Sequence, residues 1–154
     1  MYLGHKKPRN PYKIRVITGL ISLIKVDFVI NSGNVKVMLH SRGSIYNIIE
    51  YIIQAGIDIL NPVQTNTANM KPERLKEKFG SRIVFWGGGA DTQSVLPFGT
   101  PGEVRKHVKE RISIFAPGGG FVFTPIHNLQ YGVPMANIDA MINAVLEYGR
   151  YPIK

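Results

Sequence analysis

Residues 82–115 read RIVFWGGGADTQSVLPFGTPGEVRKHVKERISIF, and the order of features along this stretch decides the fold class. It begins with an apolar, β-prone run from Arg82 to Trp86, passes through Gly87-Gly88-Gly89, and enters a segment with strong helix-start signals. Thr100 stands at a cap position, Pro101 at the first helical position, and Glu103 three residues after the cap, which is the capping-box arrangement. Val104, Val108, Ile112 and Phe115 then fall on one side of a helix. The run before the glycines is too short and too apolar to alternate, as expected of a parallel strand buried on both faces.

The same strand, loop and helix pattern recurs on either side. Further β-rich runs span Val35 to His40, Ile57 to Leu60 and Phe121 to Thr124. Ser44 is placed to cap a helix carrying Ile45, Ile48, Ile49, Ile52 and Ile53, with Gly56 as its stop. Pro72 and Gly80 bracket a short helix with Leu75 and Phe79 inward, and a last helix runs from Pro134 to Tyr148 before Gly149. Four strand–helix units predict an α/β fold with a parallel sheet and right-handed crossovers. Two architectures satisfy this, an open doubly wound sheet and part of a (β/α)8 barrel. No GxGxxG follows a first strand, so the dinucleotide-binding form of the open sheet lacks its mark. A full barrel needs about 250 residues; four units make half of one. The triplets Gly87-Gly88-Gly89 and Gly118-Gly119-Gly120 read as structural turns rather than phosphate loops.

Composition sets the outer bounds. A chain of 154 residues, 44% hydrophobic and 19% charged, is one globular domain with a packed core. It has no cysteine, which excludes disulfides and thiolate metal or redox sites and leaves His, Asp and Glu as strong ligands. Residues 1–43 hold eight of the 19 basic residues and one acid, Asp27, whereas the remainder is nearly balanced. Two segments follow: a basic head over 1–34 with one helix around Tyr12 to Ile24, and a barrel-like unit over 35–150. The head carries no aromatic-interleaved basic motif, so nucleic acid is not the expected partner. The apolar stretch from Ile14 to Asn31 contains Arg15, Lys25 and Asp27, so neither a membrane span nor a signal peptide is expected, and the expected compartment is the cytoplasm.

In either architecture ligands meet the C-terminal ends of the strands. The residues there are His40 and Arg42, Asn61 and Gln64, Asp91, and His127, Asn128 and Gln130. Two histidines at equivalent strand ends face one mouth, where imidazoles can share a metal or a substrate carboxylate; each alone reads more readily as a hydrogen-bonded structural histidine. Asp91 can orient a substrate N–H or accept a proton, or it can form an Asx turn. Gln64 and Asn66 can bind a ligand or satisfy loop backbone. Phe85 and Trp86, centred in a strand, are expected in the core, and His5 and His107 have no assigned role.

Five motifs in order, HSRGSI (40–45), AGIDILNPVQ (55–64), FWGGGADTQ (85–93), LPFGTP (96–101) and PIHNLQ (125–130), resemble the C-terminal half of the uroporphyrinogen decarboxylase superfamily over residues 35–149. That superfamily comprises (β/α)8 barrels of roughly twice this length or more. It includes the decarboxylase of haem biosynthesis and cobalamin-dependent methyltransferases, and the wording around Asp91 and His127 resembles the methyltransferase-like branch more closely.

The resemblance implies work in tetrapyrrole or corrinoid chemistry, either porphyrinogen decarboxylation or corrinoid-linked methyl transfer. With the strand-end reading, the expected catalytic residues are His127 and Asp91 and the expected substrate-binding residues His40, Arg42, Gln64 and Asn128; the resemblance itself bears on His40, the Arg42 position and His127. In the methyltransferase branch a His-x-Cys pair and a third ligand from the last strand hold zinc. His40 matches the histidine and His127 the third-ligand region, but Arg42 occupies the cysteine position, and a guanidinium cannot serve as a ligand. In the decarboxylase branch His127 corresponds to a histidine near the tetrapyrrole. The implied partners are a tetrapyrrole or corrinoid substrate and either a second copy or a separate N-terminal half that pairs the open strand edges. The alternative is a non-catalytic truncated remnant or interaction module.

Overall fold

The computed structural model describes residues 13–18 and 35–153. Five strands, β1 (Lys13–Thr18), β2 (Val35–His40), β3 (Ile59–Asn61), β4 (Val84–Trp86) and β5 (Phe121–Val122), form one sheet. They lie in the order β1-β2-β3-β4-β5, and every pairing is parallel. Each strand thus lies beside its sequence neighbour. A doubly wound sheet reverses its strand order at a switch point, and this one does not, so the sheet is an arc of a (β/α)8 barrel.

The helices are α1 (Ile49–Gln54), α2 (Pro72–Phe79), α3 (Val95–Phe98), α4 (Pro101–Phe115) and α5 (Met135–Tyr148), and a 3-10 turn, Tyr46–Ile48, leads into α1. At the start of α4 both arms of the expected capping box are made: Thr100 N–H donates to Glu103 Oε2 at 2.7 Å, and Glu103 N–H donates to Thr100 Oγ1 at 3.3 Å. The Thr100 N–H foremost, and then the Thr100 hydroxyl, which donates to Glu103 Oε2 at 2.9 Å, hold the Glu103 carboxyl below its usual range. Pro72 opens α2 and Gly80 follows it, as the bracketing predicts.

Two expectations need correction, and one element is additional. Ser44 caps nothing, because its hydroxyl donates to the Ala68 carbonyl at 2.6 Å instead, and the chain passes through the 3-10 turn before α1 begins. Residues 13–18 are a strand where the first part of a helix was expected, and they pair with β2 from Lys13↔Val35 to Thr18↔His40. The physical reason is the β-branched content of Ile14, Val16, Ile17 and Thr18, which fits a pleated ladder better than a helix. The basic head therefore contributes to the same sheet as the barrel-like unit, and the rest of the expected helix lies outside the described residues. Finally, Val95–Phe98 forms a short helix that the sequence reading passed over.

The core lies between the sheet and the helices in two connected clusters. One gathers Val37, Leu39, Ile49, Leu60, Leu75, Phe79 and Phe85 around β2 to β4; the other gathers Leu96, Val104, Val108, Ile112, Met141 and Ala144 between α3, α4 and α5. Phe115 bridges β4 and β5 through ring contacts, with centroids 5.3 Å from Phe85 and 5.1 Å from Phe121. The first glycine triplet serves close packing. A Cβ on Gly88, whose φ is +78°, would sit 3.0 Å from the Val63 carbonyl oxygen, and one on Gly89 would fall 2.4 Å from the Phe123 ring. Among the described residues no helix is long and apolar enough to cross a membrane.

Candidate functional site

Register builds the site. His40 pairs with Asn61, Leu60 with Phe85, and Trp86 with Val122, so the last residues of β2, β3 and β4 stand level at the C-terminal end of the sheet. A cavity of about 740 Å³ opens there, lined by His40, Arg42, Asn61, Trp86, His127 and Asn128 among others. Six of the strand-end candidates meet in it: His40, Arg42, Asn61, His127, Asn128 and Gln130.

Asn61 acts as an orienting clamp. Its Nδ2 donates to the Trp86 carbonyl at 2.9 Å, which an oxygen could not do, so its Oδ1 must be the atom 2.7 Å from His40 Nδ1. His40 Nδ1–H is therefore the donor, and in the neutral ring Nε2 carries the free lone pair. The Asn61–Pro62 peptide that follows is cis. His127, half-buried after β5, is held below the ordinary histidine value of 6.5, mainly by burial and then by the positive charge of Arg42 and by His40; Asp91 pulls weakly the other way. Near neutrality it is an uncharged imidazole. Arg42 is exposed on the cavity rim, where its five N–H donors are open to an anion.

Two candidates go elsewhere. Asp91 is buried, and its Oδ1 accepts the N–H groups of Gln93 at 2.7 Å and Ser94 at 3.0 Å, while Asn66 Nδ2 approaches Oδ2 at 3.3 Å. This is the Asx-turn arrangement, and Asp91 does not line the cavity. Gln64 uses Oε1 to accept the Gly43 N–H at 2.8 Å, tying the β2 loop to the β3 loop. Trp86, expected in the core with Phe85, lines the cavity instead, while Phe85 is fully buried. Adjacent strand residues point to opposite faces, so only one of the two can belong to the core beneath the helices. Thr92 and Gln93 also line the cavity and escaped the sequence reading. Their signal was their position directly after Asp91.

A zinc site needs a third strong ligand besides His40 and His127. Among the described residues no group of three His, Asp or Glu side chains gathers to hold a metal, and the neighbouring group is the cationic Arg42. The donor set does not fit zinc.

An arc of parallel strands with its polar residues at the C-terminal mouth defines a portion of a barrel of the (β/α)8 class. The model of one family, uroporphyrinogen decarboxylase (URO-D), matches residues 11–148, reaching further back than the motifs and including β1. The chain belongs to the uroporphyrinogen decarboxylase family. Among solved structures it is similar to a methyltransferase from Methanosarcina mazei, with a TM-score of 0.59 and 21% identity over 77% of this chain and 33% of that one. That likeness carries the fold, and the chain spans about a third of that protein's length. No curated protein matches the chain.

Proposed function

We propose that this chain supplies one side of a mouth that binds a carboxylate-bearing tetrapyrrole, and that it acts in tetrapyrrole or corrinoid chemistry once further strands complete the barrel. The observation that carries the reading is the gathering of Arg42, His40 and His127 on one cavity beside Trp86. A guanidinium on the rim suits a side-chain carboxylate. The Asn61-oriented His40 offers an Nε2 lone pair to a ring N–H, and Trp86, Ile126 and Leu129 give the macrocycle an apolar wall. His127, uncharged near neutrality, can give or take a proton, and an arriving carboxylate would raise its affinity for one.

This arrangement favours decarboxylation of a porphyrinogen over zinc-dependent methyl transfer, since Arg42 stands where a thiolate would be needed. Among the described residues β1 and β5 are the sheet edges, each paired on one side. Further strands meeting these edges would complete the barrel, and a second copy or a separate N-terminal half is the proposed source, since unpaired parallel edges recruit pairing strands. Light scattering on a sizing column reads this directly: a dimer supports the first source, and a monomer that associates only with added N-terminal half supports the second.

The function is tested by titrating a porphyrin octacarboxylate and, separately, a corrinoid into the purified assembly and following the absorbance of each. Saturable porphyrin binding is expected, weakened about tenfold or more by Arg42→Ala, as befits loss of a charge-assisted hydrogen bond. Binding of the corrinoid alone would move the reading to methyl transfer. Binding of neither would leave the non-catalytic module.

A further inference from the structure

His107 belongs to α4 and lies behind the mouth, outside the cavity that holds the other candidates. Two donors converge on its Nε2: the Asp91 backbone N–H at 3.3 Å and the Arg111 Nε–H at 3.5 Å. Both need the Nε2 lone pair, so the ring is the free base with its proton on Nδ1. Asp91 in turn opens the loop that walls the mouth. Its carboxylate holds the N–H groups of Gln93 and Ser94, Asn66 Nδ2 bridges it to Gln93 Oε1 at 2.8 Å, and Thr92 and Gln93 line the cavity. A backbone bond to one imidazole therefore links a helix on the outside of the arc to the wall of the site.

We propose that His107 is a proton-sensitive positioning residue, which as the free base pins residues 91–93 into the mouth wall and on protonation lets them go. A protonated ring has no acceptor on Nε2, and it would face both the Asp91 N–H and the Arg111 guanidinium with a positive charge. Burial disfavours that charge most, and Arg111 adds to it; Asp91 and Glu110 draw the other way, and the balance lies below the ordinary value of 6.5. Glu103, Lys106 and Glu110 share with His107 an outer cavity of about 400 Å³, which gives protons a route from solvent. Release therefore belongs to pH below 6.5, and it weakens whatever the mouth binds. The inference holds for any ligand of that mouth and does not rest on the tetrapyrrole reading.

The test uses the full chain and nuclear magnetic resonance, reading the His107 ring nitrogens and the exchange protection of the Asp91 amide from about pH 7.5 down to about 4.5. Expected are a ring protonated on Nδ1 at the upper end and a fall of about tenfold or more in Asp91 protection that tracks ring titration below 6.5. His107→Gln offers an Oε1 acceptor that does not titrate, so it should keep the protection and lose the acid response. His107→Leu should lose protection at every pH. A ring protonated on Nε2, protection in the unmodified chain that ignores the titration, or an acid response that survives in His107→Gln would each overturn the proposal. The first two readouts need no variant, so a failure of His107→Leu to fold leaves the test intact.

Discussion

Replacing Asn137 by alanine should cost about 2–4 kcal/mol of stability. Asn137 is 1% exposed on α5, and its single Nδ2 makes two bonds, to the Leu96 carbonyl at 2.9 Å and the Gly99 carbonyl at 2.7 Å. Helix α3 is so short that its own ladder uses only the carbonyls of Ser94 and Val95, through Phe98 N–H and Gly99 N–H. Leu96 and Gly99 are thus among the last-turn acceptors that a helix leaves open, and Asn137 closes both from the neighbouring helix. Truncation removes two hydrogen bonds worth about 1 kcal/mol each and strands two shielded carbonyls at about 1 kcal/mol or more apiece, reduced where water enters the gap. With a urea slope of about 1–3 kcal/mol/M, the midpoint should fall by about 1–2 M. Asn137→Asp sharpens the test. It has the same shape and no N–H, so at neutral pH it sets a buried carboxylate against two carbonyl oxygens and should lose more than alanine. That excess should shrink as the pH falls, because the protonated carboxyl donates to one of them. An alanine variant that loses less than about 1 kcal/mol, or an aspartate variant as stable as the parent, would refute the double-cap account.

Thr92 Oγ1 is buried with no hydrogen-bond partner, so Thr92→Val should hold stability or raise it by about 1 kcal/mol in a urea melt, and a clear loss would reveal a partner for the hydroxyl. Arg42→Ala should raise the His127 midpoint followed by proton resonance, yet leave it below 6.5, because burial outweighs the arginine among its causes; an unmoved midpoint would separate the two residues. His107 and His127 are both held below 6.5, so the unfolded chain binds more protons than the folded one as the pH falls under that value. The urea midpoint should therefore be flat above about pH 6.5 and decline beneath it as each folded-state value is approached, and a midpoint that rose on acidification would reverse the sign and refute both assignments.

The parts of the fold legible in the sequence are those fixed by local chemistry. Val35–His40 matches its predicted bounds because a mostly apolar run ends at a polar strand terminus, and Pro72, Gly80, Thr100 and Glu103 mark helix ends by backbone rules that need no tertiary partner. Ser44 fails as a cap because a carbonyl 24 residues away, that of Ala68, competes for its hydroxyl. The site divides the same way. Strand-end position alone finds His40, Arg42 and His127. Asp91 and Gln64 occupy equally good positions, but backbone N–H groups nearby claim their oxygens. Asn61 and His40 are 21 residues apart, so their bond needs the β2–β3 register, which no reading of either strand alone contains.

The unbroken order of the five strands bears on how the chain acquires its shape. Since each strand adds to the one just before it, the sheet can grow at a single moving edge in the direction of synthesis, with no gap held open for a later segment. Contact order stays low for a parallel sheet, and each newly emerged strand finds its docking edge already present. Among the described residues the growing edge reaches β5, while β1 keeps one open side throughout.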